Sequence, residues 1–148
     1  MKLFLDTEFN GFMGELISMA LVPEDPKLPE FYVEIEIRGQ LHPWVKDNVV
    51  PHLFLVPKTR SETRVRNVLR NYLLYIGDLY GDCTIVADWP DDIKYFCQLL
   101  ITGPGEMINL YHKIHFELDT TIRYNSEVPH NALYDARAIR DVYLKGLK

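Results

Sequence analysis

Lys2-Leu3-Phe4-Leu5-Asp6-Thr7-Glu8-Phe9 is the stretch on which the fold turns. It is apolar at its start and short enough for one β-strand, so alternate side chains point to opposite faces. Asp6 and Glu8 then share one face, while Leu5, Thr7 and Phe9 share the other. With a rise of about 3.3 Å per residue their Cα atoms lie roughly 6.6 Å apart, close enough for both carboxylates to meet one ion or bridge two. A solvated strand face is the simpler explanation of a lone Asp-x-Glu, so the pair gains meaning only if further acids converge on it.

Working outward, Leu16 to Val22 and Phe31 to Ile37 read as two more strands, joined through Asn10-Gly11 and the proline-punctuated Pro23 to Pro29 as an antiparallel meander. From Ser61 the apolar period changes: Val65, Val68, Leu69, Tyr72, Leu73 and Ile76 recur at three and four, which predicts a helix stopped by Gly77 or Gly81. Cys83 to Ala87 reads as a short buried strand, Asp91 to Ile101 as a helix ending before Gly103-Pro104-Gly105, Met107 to Leu110 as another short strand, and Asn131 to Leu144 as a closing helix. Three strands followed by alternating helices and strands specify an α/β class with a central mixed sheet, three antiparallel strands plus parallel ones, flanked by helices.

At 148 residues with 47% hydrophobic content, the chain fits a single domain spanning 1–148. Lys+Arg of 16 against Asp+Glu of 21 leaves a net charge of −5, which excludes a global positive field for nucleic acid or membrane; a phosphate partner has to be held locally. Cys83 and Cys97 lie in apolar stretches and are too few for a disulfide scaffold. No window approaches the ~20 apolar residues of a membrane span, so the expectation is a cytoplasmic protein without a membrane partner.

Two further acidic stretches stand at element junctions. In Asp88-Trp89-Pro90-Asp91-Asp92, three acids crowd the loop after a buried strand, where α/β sheets place ligands. Helix capping by Asp88 and dipole compensation by Asp91 or Asp92 account for one or two of them. In His130-Asn131-Ala132-Leu133-Tyr134-Asp135-Ala136, Asn131 is placed to cap the last helix. Asp135 then lies roughly 70° from the centre of the apolar stripe Ala132, Ala136, Ile139 and Tyr143. An acid so near the buried edge wants a cation. His130, on the loop before it, is either an ordinary surface histidine or a proton acceptor, since imidazole exchanges protons near neutral pH.

Taken in order, Leu5-Asp6-Thr7-Glu8-Phe9, an acid after a mid-chain strand, and His130 through Ala136 resemble the three motifs of the DEDDh exonucleases. That superfamily has an RNase H-like fold and includes RNase T, oligoribonuclease and polymerase proofreading domains. The likeness runs from Asp6 to Asp135. The length and the aromatic, proline-punctuated stretch from His42 to Leu53 are most similar to small single-domain bacterial and phage 3′-to-5′ exoribonucleases.

The resemblance implies metal-dependent release of nucleoside 5′-monophosphates from an RNA 3′ end. It makes Asp6, Glu8, Asp92 and Asp135 the ligands of two Mg²⁺ or Mn²⁺ ions, with Glu8 also counted among the catalytic residues, and His130 the general base. The second motif departs from the usual pattern, with Asp88 where an asparagine is common, which leaves Asp88 as an alternative ligand to Asp92. Single-stranded RNA or an RNA 3′ overhang is the implied partner, and small relatives often form homodimers. Phe9, Phe12 and Trp89 flank motif acids and are placed to stack a terminal base. Arg64 lies in the one basic segment, with Lys58, Arg60, Arg66 and Arg70, and Arg137 follows the third motif; both are expected to reach phosphate. Competing readings are a DNA-directed exonuclease, a catalytically silent nucleic-acid-binding module, and a metal-free hydrolase using Asp6 and Glu8 as an acid/base pair.

Overall fold

The computed structural model describes residues 1–54 and 56–146. Its elements are β1 (Lys2–Phe9), β2 (Leu16–Pro23), β3 (Phe31–Glu34), α1 (Pro43–Asn48), a 3-10 turn (Val50–His52) and α2 (Glu62–Tyr80). These are followed by β4 (Cys83–Ala87), α3 (Pro90–Leu100), β5 (Ile101–Gly103), β6 (Glu106–Met107), β7 (Ile114–Leu118) and α4 (Ala132–Gly146). The fold is α/β. Its main sheet has five strands in the order β3-β2-β1-β4-β7, antiparallel from β3 to β1 and parallel from β1 to β7.

Strand periodicity divides the core between the sheet's two faces. Leu3 and Leu5 of β1, Met19 and Leu21 of β2, and Ile85 of β4 point to one face and pack against Val65, Leu69, Leu73 and Ile76 of α2 and Phe96 and Leu99 of α3. Phe4, Ala20, Val22 and Val86 point to the other and receive Ala132, Ala136 and Ile139 of α4. Two alanines on that helix let it approach the sheet closely, and Phe4 and Ile139 are completely buried, each stabilising the fold by about 1.5–3 kcal/mol. A third cluster joins Val45 and Val49 of α1 and Leu53 to Ile17 of β2. Ser61 caps α2 by accepting from the Arg64 backbone N–H, and Gly81, at φ +76°, ends it.

Two expected strands change, and two elements appear that were not expected. The third strand stops at Glu34 rather than Ile37: the β1–β2 register skips Ile17, and opposite that bulge Ile35 bonds to Ile17 while Glu36 and Thr59 take over as partners. The segment Met107 to Leu110 is not a core strand. Gly103-Pro104-Gly105 folds the chain straight back, so Glu106–Met107 pairs with Ile101–Gly103 in a separate hairpin. The fifth strand of the main sheet is instead β7, whose Phe116 and Leu118 stay partly exposed at the sheet edge and leave only a weak sequence signal. Helix α1, inside the His42 to Leu53 stretch, was also not expected.

Candidate metal centre

The alternation that sends Phe4 toward α4 sends Asp6 and Glu8 the same way, onto the end of β1 that α4 overlies. Asp135 sits in the first turn of α4, where Asn131 caps the helix by accepting from the Leu133 and Tyr134 backbone N–H groups at 3.1 and 3.3 Å. Asp92 arrives from the opposite face. Pro90 begins α3 with its fixed φ, Asp92 follows in the first turn, and its Oδ1 accepts from the Thr7 backbone N–H at 3.1 Å and the Thr7 hydroxyl at 2.6 Å. Thr7, on the other face of β1 from Asp6 and Glu8, thereby ties α3 to the strand end. Asp88 does not cap α3: Trp89 holds the cap position without a side-chain bond, and Asp88, one residue earlier at the end of β4, turns to the other acids.

Two adjoining groups result. Glu8, His130 and Asp135 offer ligand atoms all within 4.8 Å of one another, and so do Asp6, Asp88 and Asp92. Asp6, Asp92 and Asp135 are buried. Burial, then the charges of Asp92, Glu8 and Asp135, lifts the Asp6 carboxyl well above its ordinary range. Burial followed by Asp135 and Asp92 pushes Glu8 up to about 8, and burial raises Asp92 to about 7 against the opposing pull of its Thr7 bonds. Asp135 and Asp88 also rise, chiefly through burial. Asp6 Oδ2 and Asp135 Oδ1 are buried with no hydrogen-bond partner among the described residues. Buried carboxylate oxygens are normally satisfied, so two orphaned ones facing a cluster of hard oxygen donors fit divalent cations. The residues present therefore suit Mg²⁺ or Mn²⁺.

His130 takes a positive φ of 61°, an uncommon conformation for a side chain with a Cβ. Its backbone N–H donates to Asp135 Oδ2 at 3.0 Å, and its ring meets the Trp44 indole edge-on at 4.9 Å. These groups line a cleft of ≈ 630 Å³ whose walls carry no lysine or arginine among the described residues. Aromatic rings rim it instead: Phe12 is 90% exposed, Trp89 57% and Trp44 49%. Phe9 also borders the cleft, but it is stacked on Tyr95 at 4.8 Å and so is partly committed to packing.

The two arginines expected at phosphate do not line this cleft. Arg137 forms a bidentate pair with Glu30, and Arg64 borders a different groove with Tyr32 and Lys58. The rest of the basic segment is largely engaged: Arg60 pairs with Glu36, Arg66 with Glu62, and Arg70 Nε donates to the Asn109 carbonyl. Asp91 is likewise held by Lys94 and the Trp89 indole N–H, outside both ligand groups. Sequence reading missed Trp44, His42 and Tyr124 in the cleft wall. No periodicity marked them: Trp44 sits on a helix of only six residues, and His42 and Tyr124 lie on loops. Compared with known proteins, the chain matches no family model and no curated protein. None of the described helices is long and apolar enough to cross a membrane.

Proposed function

We propose that this protein is a metal-dependent 3′-to-5′ exoribonuclease of the DEDDh type on an RNase H-like fold. The observation that carries the reading is the convergence of Asp6, Glu8, Asp92 and Asp135 from three separate elements onto one strand end, with two of their oxygens buried and unpaired among the described residues. Repelling carboxylates held this way cost stability in the absence of a cation, so the arrangement makes physical sense as a cation site. The strand order β3-β2-β1-β4-β7, antiparallel then parallel, supports the fold assignment.

Asp6, Asp92 and Asp88 would hold one ion, and Glu8 and Asp135 the other. The chemistry such ions supply when bound is neutralisation of charge on the attacking and leaving oxygens of an in-line displacement. His130, beside Glu8 and Asp135, accepts a proton from the attacking water on its imidazole. The water oxygen bonds to the terminal phosphorus, the bond to the 3′ oxygen breaks, and that oxygen takes a proton from solvent, releasing a nucleoside 5′-monophosphate. Phe12, Trp44 and Trp89 offer faces and edges for the terminal bases, a sequence-tolerant mode of holding single strands. The preference for RNA rests on the resemblance to small single-domain exoribonucleases.

The test is release of 5′-mononucleotides from a 3′-overhang RNA in Mn²⁺. The expected result is stepwise shortening from the 3′ end, abolished by EDTA and slower on single-stranded DNA. Activity that survives EDTA would refute the metal reading, and an equal or greater rate on DNA would refute the substrate preference. Asp92→Asn and Asp88→Asn measured side by side assign the second motif.

A further inference from the structure

His130 stands at a positive-φ backbone position on a loop, and its ring meets the edge of Trp44 and lies beside Glu8 and Asp135. Its neighbours in sequence are not loose. The ring of His52, at the end of the 3-10 turn, hydrogen-bonds through Nδ1 to the carbonyl oxygen of Pro129. A carbonyl can only accept, so Nδ1 carries a proton in this contact. The backbone carbonyl of the same His52 accepts from Asn131 Nδ2 at 2.7 Å. One residue thus grips both flanks of His130.

The grip is anchored inward. Asn131 Nδ2 also donates to the Tyr32 hydroxyl at 3.3 Å, and that hydroxyl donates to Glu34 Oε1 at 2.8 Å. Glu34 Oε2 accepts from the Phe54 backbone N–H at 3.0 Å, closing the path back to the segment that carries His52. Asn131 and Glu34 are fully buried on the sheet side of this chain of bonds, where each missing partner is expensive. Trp44, which meets the His130 ring, lies on α1 in the same stretch of chain. The segment from Trp44 to Phe54 therefore touches the 129–131 loop at three points: one ring on His130, one ring on Pro129, and one carbonyl on Asn131.

We propose that His52 is a positioning residue for His130: it clasps the backbone on both sides of the base and, through Asn131, Tyr32 and Glu34, fixes the base against the β2–β3 sheet edge. This deepens the exonuclease reading and rests on it for its catalytic consequence. The physical reason is that proton transfer needs the base within hydrogen-bond reach of the water, and a positive-φ residue on an unclasped loop relaxes toward commoner conformations.

The experiment compares His52→Ala and His52→Asn with the parent protein by two independent readouts. In turnover assays, His52→Ala is expected to lower kcat by about tenfold or more, with KM within about twofold and Mn²⁺ affinity unchanged. His52→Asn, whose amide nitrogen can replace the ring N–H, is expected to recover most of the loss. In metal-free NMR, the His130 amide bonded to Asp135 is expected to exchange faster in His52→Ala, and the ring-current shift that Trp44 imposes on the His130 ring to shrink, both restored in His52→Asn. Unchanged kcat and unchanged His130 exchange in His52→Ala would overturn the proposal, as would an Asn variant as impaired as the Ala variant. The NMR arm needs neither metal nor substrate. A parent protein without nuclease turnover would therefore defeat the proposed function and leave the clasp to be judged on exchange and ring shift alone.

Discussion

Asp92→Asn is expected to make the metal-free protein more stable, by an amount that grows with pH. Asp92 is 2% exposed, and burial, with Asp88 adding repulsion, raises its carboxyl from 3.8 to about 7. Between those two values the folded state binds more protons than the unfolded chain, so stability falls as pH rises through the window. The contribution is fully present below about pH 4 and lost above about pH 7. Treated as an isolated group, the full loss would be about 4 kcal/mol; because neighbouring acids share protons with it, about 2 kcal/mol is the better expectation. Asparagine stays neutral throughout and keeps an oxygen for the two Thr7 bonds. Urea or thermal unfolding in EDTA from pH 5 to 8 is the assay. The Asn-minus-Asp difference should climb by no more than about 1.4 kcal/mol per pH unit and then level off, leaving Tm about 4–8 °C higher for the variant at pH 8. Adding Mn²⁺ at a hundredfold excess over its Kd should stabilise the parent by about 2.7 kcal/mol and the variant by much less. A difference that is flat with pH, or a variant less stable than the parent in EDTA at pH 8, would refute the reasoning.

Asp6→Ala and Asp135→Ala are expected to abolish turnover and weaken Mn²⁺ binding by calorimetry, whereas His130→Ala should slow turnover by about 10²–10⁴-fold with the metal still bound. Trp44→Ala and Phe12→Ala should raise KM for short RNA, each by a factor matching about 1–3 kcal/mol of lost base stacking. Since the cleft wall offers no cation among the described residues, KM should also change little between low and moderate salt. Arg137→Ala should leave kcat and KM unchanged and lower stability by about 1 kcal/mol or less, because its partner Glu30 is half-buried and the pair lies away from the cleft; a rise in KM would instead place Arg137 at the substrate.

What could be read from the amino-acid order was whatever a short period encodes. Alternation in Lys2 to Phe9 and three-four spacing from Val65 to Ile76 are local signals of burial, and the structure places both elements close to their expected bounds. The same alternation put Asp6 and Glu8 on one face, and the Asn131 cap put Asp135 in the first turn of α4. Edge strands carry less of this signal. Ile114 to Leu118 is covered on neither face well enough to demand a strict pattern, and it is held partly by Glu117 reaching Lys2 and Tyr143. Charge was the least legible property. Arg66 and Arg137 look available in the sequence because the partners that occupy them, Glu62 and Glu30, are recognised only once helix faces and strand ends are placed.

The site is where local preference and global fold disagree, and the disagreement is informative. A sheet that buries Leu3, Phe4, Leu5, Ile85 and Val86 should continue with apolar residues at the same strand ends. It puts Asp6 and Asp88 there, and the flanking helices add Asp92 and Asp135 at their N-termini rather than screening them with lysine or arginine. Helix dipoles at those N-termini favour the negative charge by at most about 2 kcal/mol each, and the Thr7 bonds help only Asp92. Neither offsets the burial, and the repulsion from Asp135 and Asp92 added to it, that push Glu8 up to about 8. An unneutralised cluster would thus have to hold protons at neutral pH, and a protonated carboxyl needs a hydrogen-bond acceptor. Among the described residues Asp6 Oδ2 and Asp135 Oδ1 have no hydrogen-bond partner, so a divalent cation, as the proposed function requires, would answer charge and coordination together.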